Sequence, residues 1–105
     1  MTVKHIVLVG ALALAVLGCR RTDVRAFTID VPQAMAADMA AIRASLVRYG
    51  GVDAKSIAFD EAAHKIRLRY DSMQIARKNI EMAIAEVGFA ANGVTPESIG
   101  AKAAR

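Results

Sequence analysis

The spacing of apolar residues changes at Pro32, and this change limits the fold more than any other feature. Before the proline, "AFTIDV" alternates, with Phe27, Ile29 and Val31 on one face, as in a half-buried strand. After it, apolar residues recur at steps of four and three on one helical face: Met35, Met39, Ile42, Leu46 and Tyr49. Proline suits the first helical position, where its missing N–H is not needed. The sequence therefore predicts a helix that starts at about Pro32 or Gln33.

The same two patterns recur in the second half of the chain. "SIAFD" and "KIRLRY" alternate on either side of "EAAH", which predicts a hairpin of two strands. A second helix should begin at a cap on Asp71 or Ser72 and end at Gly88. Its predicted buried face consists of Ala76, Ile80, Ala83, Ile84 and Val87. With "FAANGV" as a weak last strand, the order is βαββαβ. This order predicts an α+β, ferredoxin-like sandwich with two helices on one face of a four-stranded antiparallel sheet.

The N-terminal residues "MTVKHIVLVGALALAVLGC" have the composition of a secretory signal. Lys4 precedes an apolar run from Ile6 to Leu17, which is shorter than the roughly 20 residues of a membrane-spanning helix. Cys19 is the only cysteine, and "AVLGC" resembles a bacterial lipobox, whose cysteine is lipidated. An ordinary cleaved signal and an uncleaved anchor are the alternatives. Acyl chains on Cys19 would hold the protein firmly on a membrane, because each buried CH₂ contributes about 0.8 kcal/mol.

These features divide the chain into four predicted parts. Residues 1–18 are a lipoprotein signal peptide, 19–25 the lipidated cysteine and a tether, 26–94 a folded domain, and 95–105 a flexible C-terminal tail. Arg20 rather than aspartate follows Cys19, which favours the periplasmic face of the outer membrane in a bacterial envelope. The first predicted partner is therefore the membrane itself, through the lipid anchor.

Two stretches of the predicted domain, "GGVDAKSIAFDEAAHKIRLRYDS" and "ARKNIEMAIAEVGFAA", resemble the heavy-metal-associated (HMA) domain of copper chaperones and copper-pumping ATPases. The resemblance runs from about Phe27 to Val94. It rests on Gly51-Val52 after the first helix, Tyr70-Asp71 after the third strand, and "AIAEVGF" at the end of the second helix. It implies a non-enzymatic, metal-handling accessory or chaperone-like module, with a metal transporter or efflux protein as a candidate partner.

The HMA metal site is a Met-x-Cys-x-x-Cys loop between the first strand and the first helix, and this chain departs from it. Counting back from Gly51-Val52, the cysteine positions fall on Met35 and Asp38; counting forward from Val31, they fall on Ala36 and Met39. Met35, Asp38 and Met39 are thus the candidate ligands of a degenerate site for Cu(I) or another soft metal ion, which thioethers suit. The helical spacing favours the other interpretation, that both methionines fill the core.

A second candidate surface is the outward face of the predicted sheet. It carries Asp30 on the first strand and Arg67 and Arg69 on the third. These residues predict either a solvated face with a cross-strand ion pair, or a docking surface for an acidic partner. The missing cysteine pair favours the alternative function, a pure protein–protein interaction module that no longer binds metal.

Two classes of function are excluded by the residue types. We predict that the protein is not an enzyme, because His64, expected to be exposed in the hairpin turn, is the only histidine after the signal peptide, and no thiol other than Cys19 could act with it. Nucleic acid is not a predicted partner. RNA-binding sheets need aromatic side chains on the open face, whereas Phe27, Phe59 and Tyr70 point inward by their alternation.

Overall fold

The computed structural model describes residues 22–104, so the predicted signal peptide, Cys19 and most of the tether lie outside the described residues. Three strands form one sheet: β1 (Val24–Asp30), β2 (Ala58–Asp60) and β3 (Lys65–Asp71). Two α-helices cover it: α1 (Met39–Arg48) and α2 (Arg77–Glu86). In this range, no helix is long and apolar enough to cross a membrane.

The sheet is antiparallel in the order β1-β3-β2, with β3 in the centre. Its register follows the alternation in the sequence, since Phe27 lies opposite Leu68 and Ile29 opposite Ile66. Ile29, Ile66 and Leu68 are buried beneath the helices, where they meet core side chains that include Ile42 of α1. This arrangement confirms the predicted α+β, ferredoxin-like class.

The predicted last strand is present only as a tight turn beside β1. Ala91 and Val94 form an isolated bridge, and the turn between them has Asn92 at φ +49°. Asn92 N–H donates to the Asp30 carbonyl oxygen (2.9 Å), and Asn92 Oδ1 accepts from Asp30 N–H (2.8 Å). The segment therefore occupies the place of a fourth strand next to β1, while the sheet of residues 22–104 has three.

The first helix does not start at Pro32 or Gln33, so this prediction was wrong. Pro32 and Gln33 form a turn, Ala34 is buried, and a 3₁₀ turn at Ala36–Asp38 precedes α1. Met35 has an extended backbone, and its N–H donates to Asp38 Oδ2 (2.8 Å). An aspartate side chain that binds nearby backbone N–H groups offers an alternative to helical hydrogen bonds. The strand and the helix are therefore joined by an irregular loop, residues 31–38.

The second helix also begins later than predicted, at Arg77. The carboxylate of Asp71 accepts from Met73 N–H (3.0 Å) and so holds a turn that separates β3 from α2. Ala76 precedes the helix and is exposed, whereas it was expected on the buried face. The other expected contacts are present, because Ile80, Ala83 and Ile84 are buried and Val87 packs against the core.

Both ends of the predicted domain differ from the sequence-based boundaries. β1 begins at Val24, so Val24 and Arg25 belong to the strand rather than to the tether. At the other end, the segment predicted to be a flexible tail contains a 3₁₀ turn at Glu97–Ile99. It also contacts the end of α2, where Ala104 N–H donates to the Gly88 carbonyl oxygen (2.9 Å).

Candidate functional site

The loop between β1 and α1 meets the β2–β3 hairpin at one end of the sheet, which we call the loop end. The turn that carries His64 precedes Lys65, and Lys65 lies opposite Asp30, the last residue of β1. Val31 N–H donates to the His64 carbonyl oxygen (2.9 Å), which extends the pairing beyond the strands. The sequence left open which end of the sheet carried the hairpin. The structure places it beside the candidate metal loop.

The imidazole of His64 is fixed in place and is half-buried, rather than exposed as predicted. Its ring lies edge-on to Phe59, with 6.4 Å between the ring centroids. His64 Nδ1 is 2.9 Å from the carbonyl oxygen of Ala34. Because a carbonyl oxygen can only accept, Nδ1 must carry the proton in this hydrogen bond. In the neutral ring, Nε2 is then the unprotonated nitrogen with a free lone pair.

The three candidate ligands from the sequence occupy different environments. The side chain of Met35 is 54% exposed. Met39 packs against the core but is only half-buried. It is therefore less buried than a core position on the helical stripe would be. One carboxylate oxygen of Asp38 accepts the hydrogen bond from Met35 N–H that shapes the loop. Met35 is therefore the most accessible of the three to an ion arriving from solvent.

Few side chains that could bind a metal ion lie around the loop. Among residues 22–104, no three side chains of His, Cys, Asp or Glu lie close enough together to hold a metal ion. A shallow cleft of about 300 Å³ opens beside the loop and is lined by Asp30, Pro32, Ala63 and His64. His64 and Asp30 thus line the same cleft.

The open face of the sheet has a different ion pairing from the one predicted. Asp30 pairs with Lys65 (3.5 Å between Oδ1 and Nζ) rather than with an arginine. Arg69 pairs instead with Asp53, which lies outside the sheet (3.5 Å). Arg67 lies in the middle of the face, between Thr28 and Ala58, and forms no ion pair with any residue of the range 22–104.

At the opposite end of the sheet, which we call the tether end, Asp71 has a structural role that differs from the helix cap predicted for it. It is buried, and its Oδ1 accepts from the backbone N–H groups of Asp23 and Met73, both at 3.0 Å. These hydrogen bonds lower the pKa of the Asp71 carboxyl group, that from Asp23 most. The role of Asp71 is therefore to fasten the start of β1 to the loop after β3.

Comparison with known proteins supports the fold. No family model matches this chain, and no curated protein matches it in sequence. The oxidized MerP of Ralstonia metallidurans CH34 has a similar structure, with a TM-score of 0.59, 14% identity, and coverage of 66% of this chain and 94% of that one. The "putative copper-ion-binding protein" of Bacillus anthracis str. Ames matches with a TM-score of 0.59, 19% identity, and coverage of 68% and 99%. The chain therefore has an HMA-like fold.

Proposed function

We propose that the protein is a non-enzymatic envelope lipoprotein, anchored through Cys19, whose HMA-like domain handles a soft metal ion such as Cu(I) without the cysteine pair of the family. Both structural relatives have this fold, and one of them is described as copper-ion-binding. In an oxidising compartment, free thiols tend to be lost. A site built on methionine and histidine would avoid that loss.

The observation that carries the proposal is the hydrogen bond between His64 Nδ1 and the Ala34 carbonyl oxygen. It brings the only imidazole of the predicted mature chain to the residue next to Met35. A metal-binding histidine commonly donates its other ring N–H to a backbone carbonyl, which fixes the tautomer and the ring orientation. His64 already has this arrangement, and its Nε2 remains available.

Met35 and His64 are the proposed ligands. The thioether of Met35 is exposed, and thioether and imidazole donors both suit Cu(I). Met39 would contribute mainly through packing, and Asp38 by holding the loop in its irregular shape. Two neutral ligands imply weaker binding than a thiolate pair, which fits an accessory that passes its metal to a transporter or efflux protein.

The test is a Cu(I) titration of the purified protein against a competing chelator. Met35→Leu removes the sulfur at similar volume, and His64→Asn keeps a residue type that tolerates the positive φ of +52° at this position. Met73→Leu is the matched control, because Met73 is exposed at the tether end. We expect one Cu(I) per chain, lost in the first two variants and kept in the control. Equal binding by all four proteins would contradict the proposed site.

The unpaired Arg67 supports a second candidate function, docking of an acidic protein partner on the open sheet face. Arg67 is flanked by the uncharged Thr28 and Ala58, so its charge is available to a partner. A photoreactive residue at Thr28 should then crosslink to that partner in intact cells, and Arg67→Glu should abolish the product while leaving Cu(I) binding unchanged. Crosslinking that is insensitive to Arg67→Glu would reject this function.

A further inference from the structure

We propose that the domain rests on the bilayer with its tether end, through the side chains of Val24 and Met73, and points its loop end away from the membrane. The surface formed by these two side chains is called the Val24–Met73 patch below. This inference rests on the lipid anchor at Cys19, which is part of the proposed function. The Val24–Met73 patch would contact the surface of the same membrane that holds the anchor.

The patch consists of two large apolar side chains exposed at one end of the molecule. Val24 is 62% exposed and Met73 is 61% exposed. Val24 lies opposite Asp71 in the sheet register, and Met73 N–H donates to Asp71 Oδ1 (3.0 Å). The same carboxylate oxygen accepts from Asp23 N–H, next to Val24. Asp71 thus holds the two segments that carry the patch against each other.

The position of the anchor places this patch next to the membrane. Five residue steps separate Cys19 from Val24. An extended chain advances at most about 3.6 Å per residue, so the anchor lies within roughly 18 Å of the patch. β1 then runs away from Val24 for seven residues. At about 3.3 Å per residue, the strand carries the loop end roughly 20 Å further from the anchored end.

The charges at the tether end do not oppose contact with an anionic bilayer. Asp23 pairs with Arg25 (2.8 Å) and also accepts from the hydroxyl of Ser72. Asp53 pairs with Arg69, and Asp71 is buried under its hydrogen bonds. Asp23 and Asp53 thus each have a cationic partner, and Asp71, although ionised, is buried beneath backbone N–H donors. None of these three carboxylates is both exposed and unpaired where the apolar side chains would approach lipid.

This orientation has a consequence for function. His64 and Met35 lie at the loop end, where a soluble or membrane-bound partner in the periplasm could reach them. The Val24–Met73 patch would keep this end outward and stop the domain from rotating freely on its short tether.

Fluorescence quenching by brominated lipid tests the orientation, because the chain contains no tryptophan. The mature protein, lipidated at Cys19, would be reconstituted into phosphatidylcholine–phosphatidylglycerol vesicles containing dibrominated phosphatidylcholine. A single tryptophan would be placed at Met73 or Val24, with Met35→Trp as the matched exposed control at the loop end. We expect the Met73→Trp and Val24→Trp proteins to lose most of their tryptophan fluorescence. The Met35→Trp protein should keep most of its fluorescence.

Two readouts separate the orientation from the anchor. Flotation with the vesicles, lost in Cys19→Ser, reports on the anchor, and quenching reports on the orientation. Flotation that survives Cys19→Ser would overturn the proposed lipid anchor. Flotation that needs Cys19, together with equal quenching at positions 73 and 35, would leave the anchor standing and overturn the orientation. Stronger quenching at position 35 than at position 73 would show that the loop end, rather than the tether end, contacts the membrane.

Discussion

The backbone N–H of Asp23 donates a 3.0 Å hydrogen bond to Asp71 Oδ1 and joins the start of β1 to the end of β3. The Asp71 carboxylate also accepts from Met73 N–H (3.0 Å) and from Gln74 Nε2 (3.1 Å). Asp71 is only 8% exposed. Hydrogen bonds to the ionised form stabilise it, which explains the lowered pKa of this group. The tether end therefore depends on an ionised carboxylate.

We predict that this dependence appears as a loss of stability in acid. Asp71 and Asp23 both have a folded-state pKa below the usual value, Asp23 mainly through the hydroxyl of Ser72. Their contribution is present above the unfolded-state pKa of about 4 and is lost as the pH falls through the lower folded-state values. Asp71→Asn should lower the urea midpoint at neutral pH, and the deficit should shrink below about pH 4. A deficit that is constant across this range would show that Asp71 acts without its charge.

Gly51 provides a second test of the same end. Its φ is +104°, and an added Cβ would lie 2.9 Å from Gln74 Cβ and from Ile75 Cγ2. Gly51→Ala should therefore destabilise the protein by about 2 to 3 kcal/mol, because backbone strain and overpacking add. Gly93→Ala is the matched control. Its φ is +84° with no atom within 4 Å of the added Cβ. It should cost only about 1 kcal/mol. Urea unfolding, monitored by circular dichroism, measures the loss of unfolding free energy in both variants. Equal losses would rule out the steric contribution at Gly51.

A buried hydroxyl between the helices supports a third prediction. Ser45 is buried on α1, and its Oγ donates to the Ala83 carbonyl oxygen of α2 (2.7 Å). Ser45→Ala should lower the free energy of unfolding by about 1 kcal/mol through loss of this hydrogen bond. Ala44→Ser, on the exposed side of the same helix, should change it by less than about 0.5 kcal/mol. The contact is not important to stability if the two variants unfold at the same midpoint.

The strands were predictable because their signal is local. Phe27, Ile29, Ile66 and Leu68 alternate along the chain, and the pleat turns that alternation directly into a buried face. The same pattern predicted which faces of β1 and β3 are buried, whereas the residue-by-residue register between them was not predicted. The fold class followed from the order of these elements and needed no knowledge of any single contact.

The loop end was not predictable in the same way, because its geometry depends on individual polar contacts. The spacing of Met35, Met39 and Ile42 fits a helix, yet Asp38 binds Met35 N–H and delays α1 until Met39. The position of His64 beside Ala34 is set by pairing between distant segments, and the sequence carries no local sign of it. The partnership of Asp30 with Lys65 rather than Arg67 likewise follows from the register.

The final prediction separates packing from binding at Met35 and Met39. Full truncation of a buried methionine costs about 2 to 5 kcal/mol, and Met39 is half-buried against the core. Met39→Ala should therefore lower the free energy of unfolding of the metal-free protein by about 1 to 2 kcal/mol. Met35→Ala, at an exposed side chain, should change it by less than about 0.5 kcal/mol.

Cu(I) titration of Met35→Ala and of a further variant, Met39→Leu, completes this prediction. If Met35 is a ligand, Met35→Ala binds Cu(I) poorly although its fold is intact. Met39→Leu keeps the packing volume and should retain binding, because we assign Met39 to the core. A Met39→Leu protein that folds normally and loses Cu(I) would contradict that assignment and place both thioethers on the metal. Loss of stability in Met35→Ala would instead return Met35 to the core, where the helical spacing first placed it.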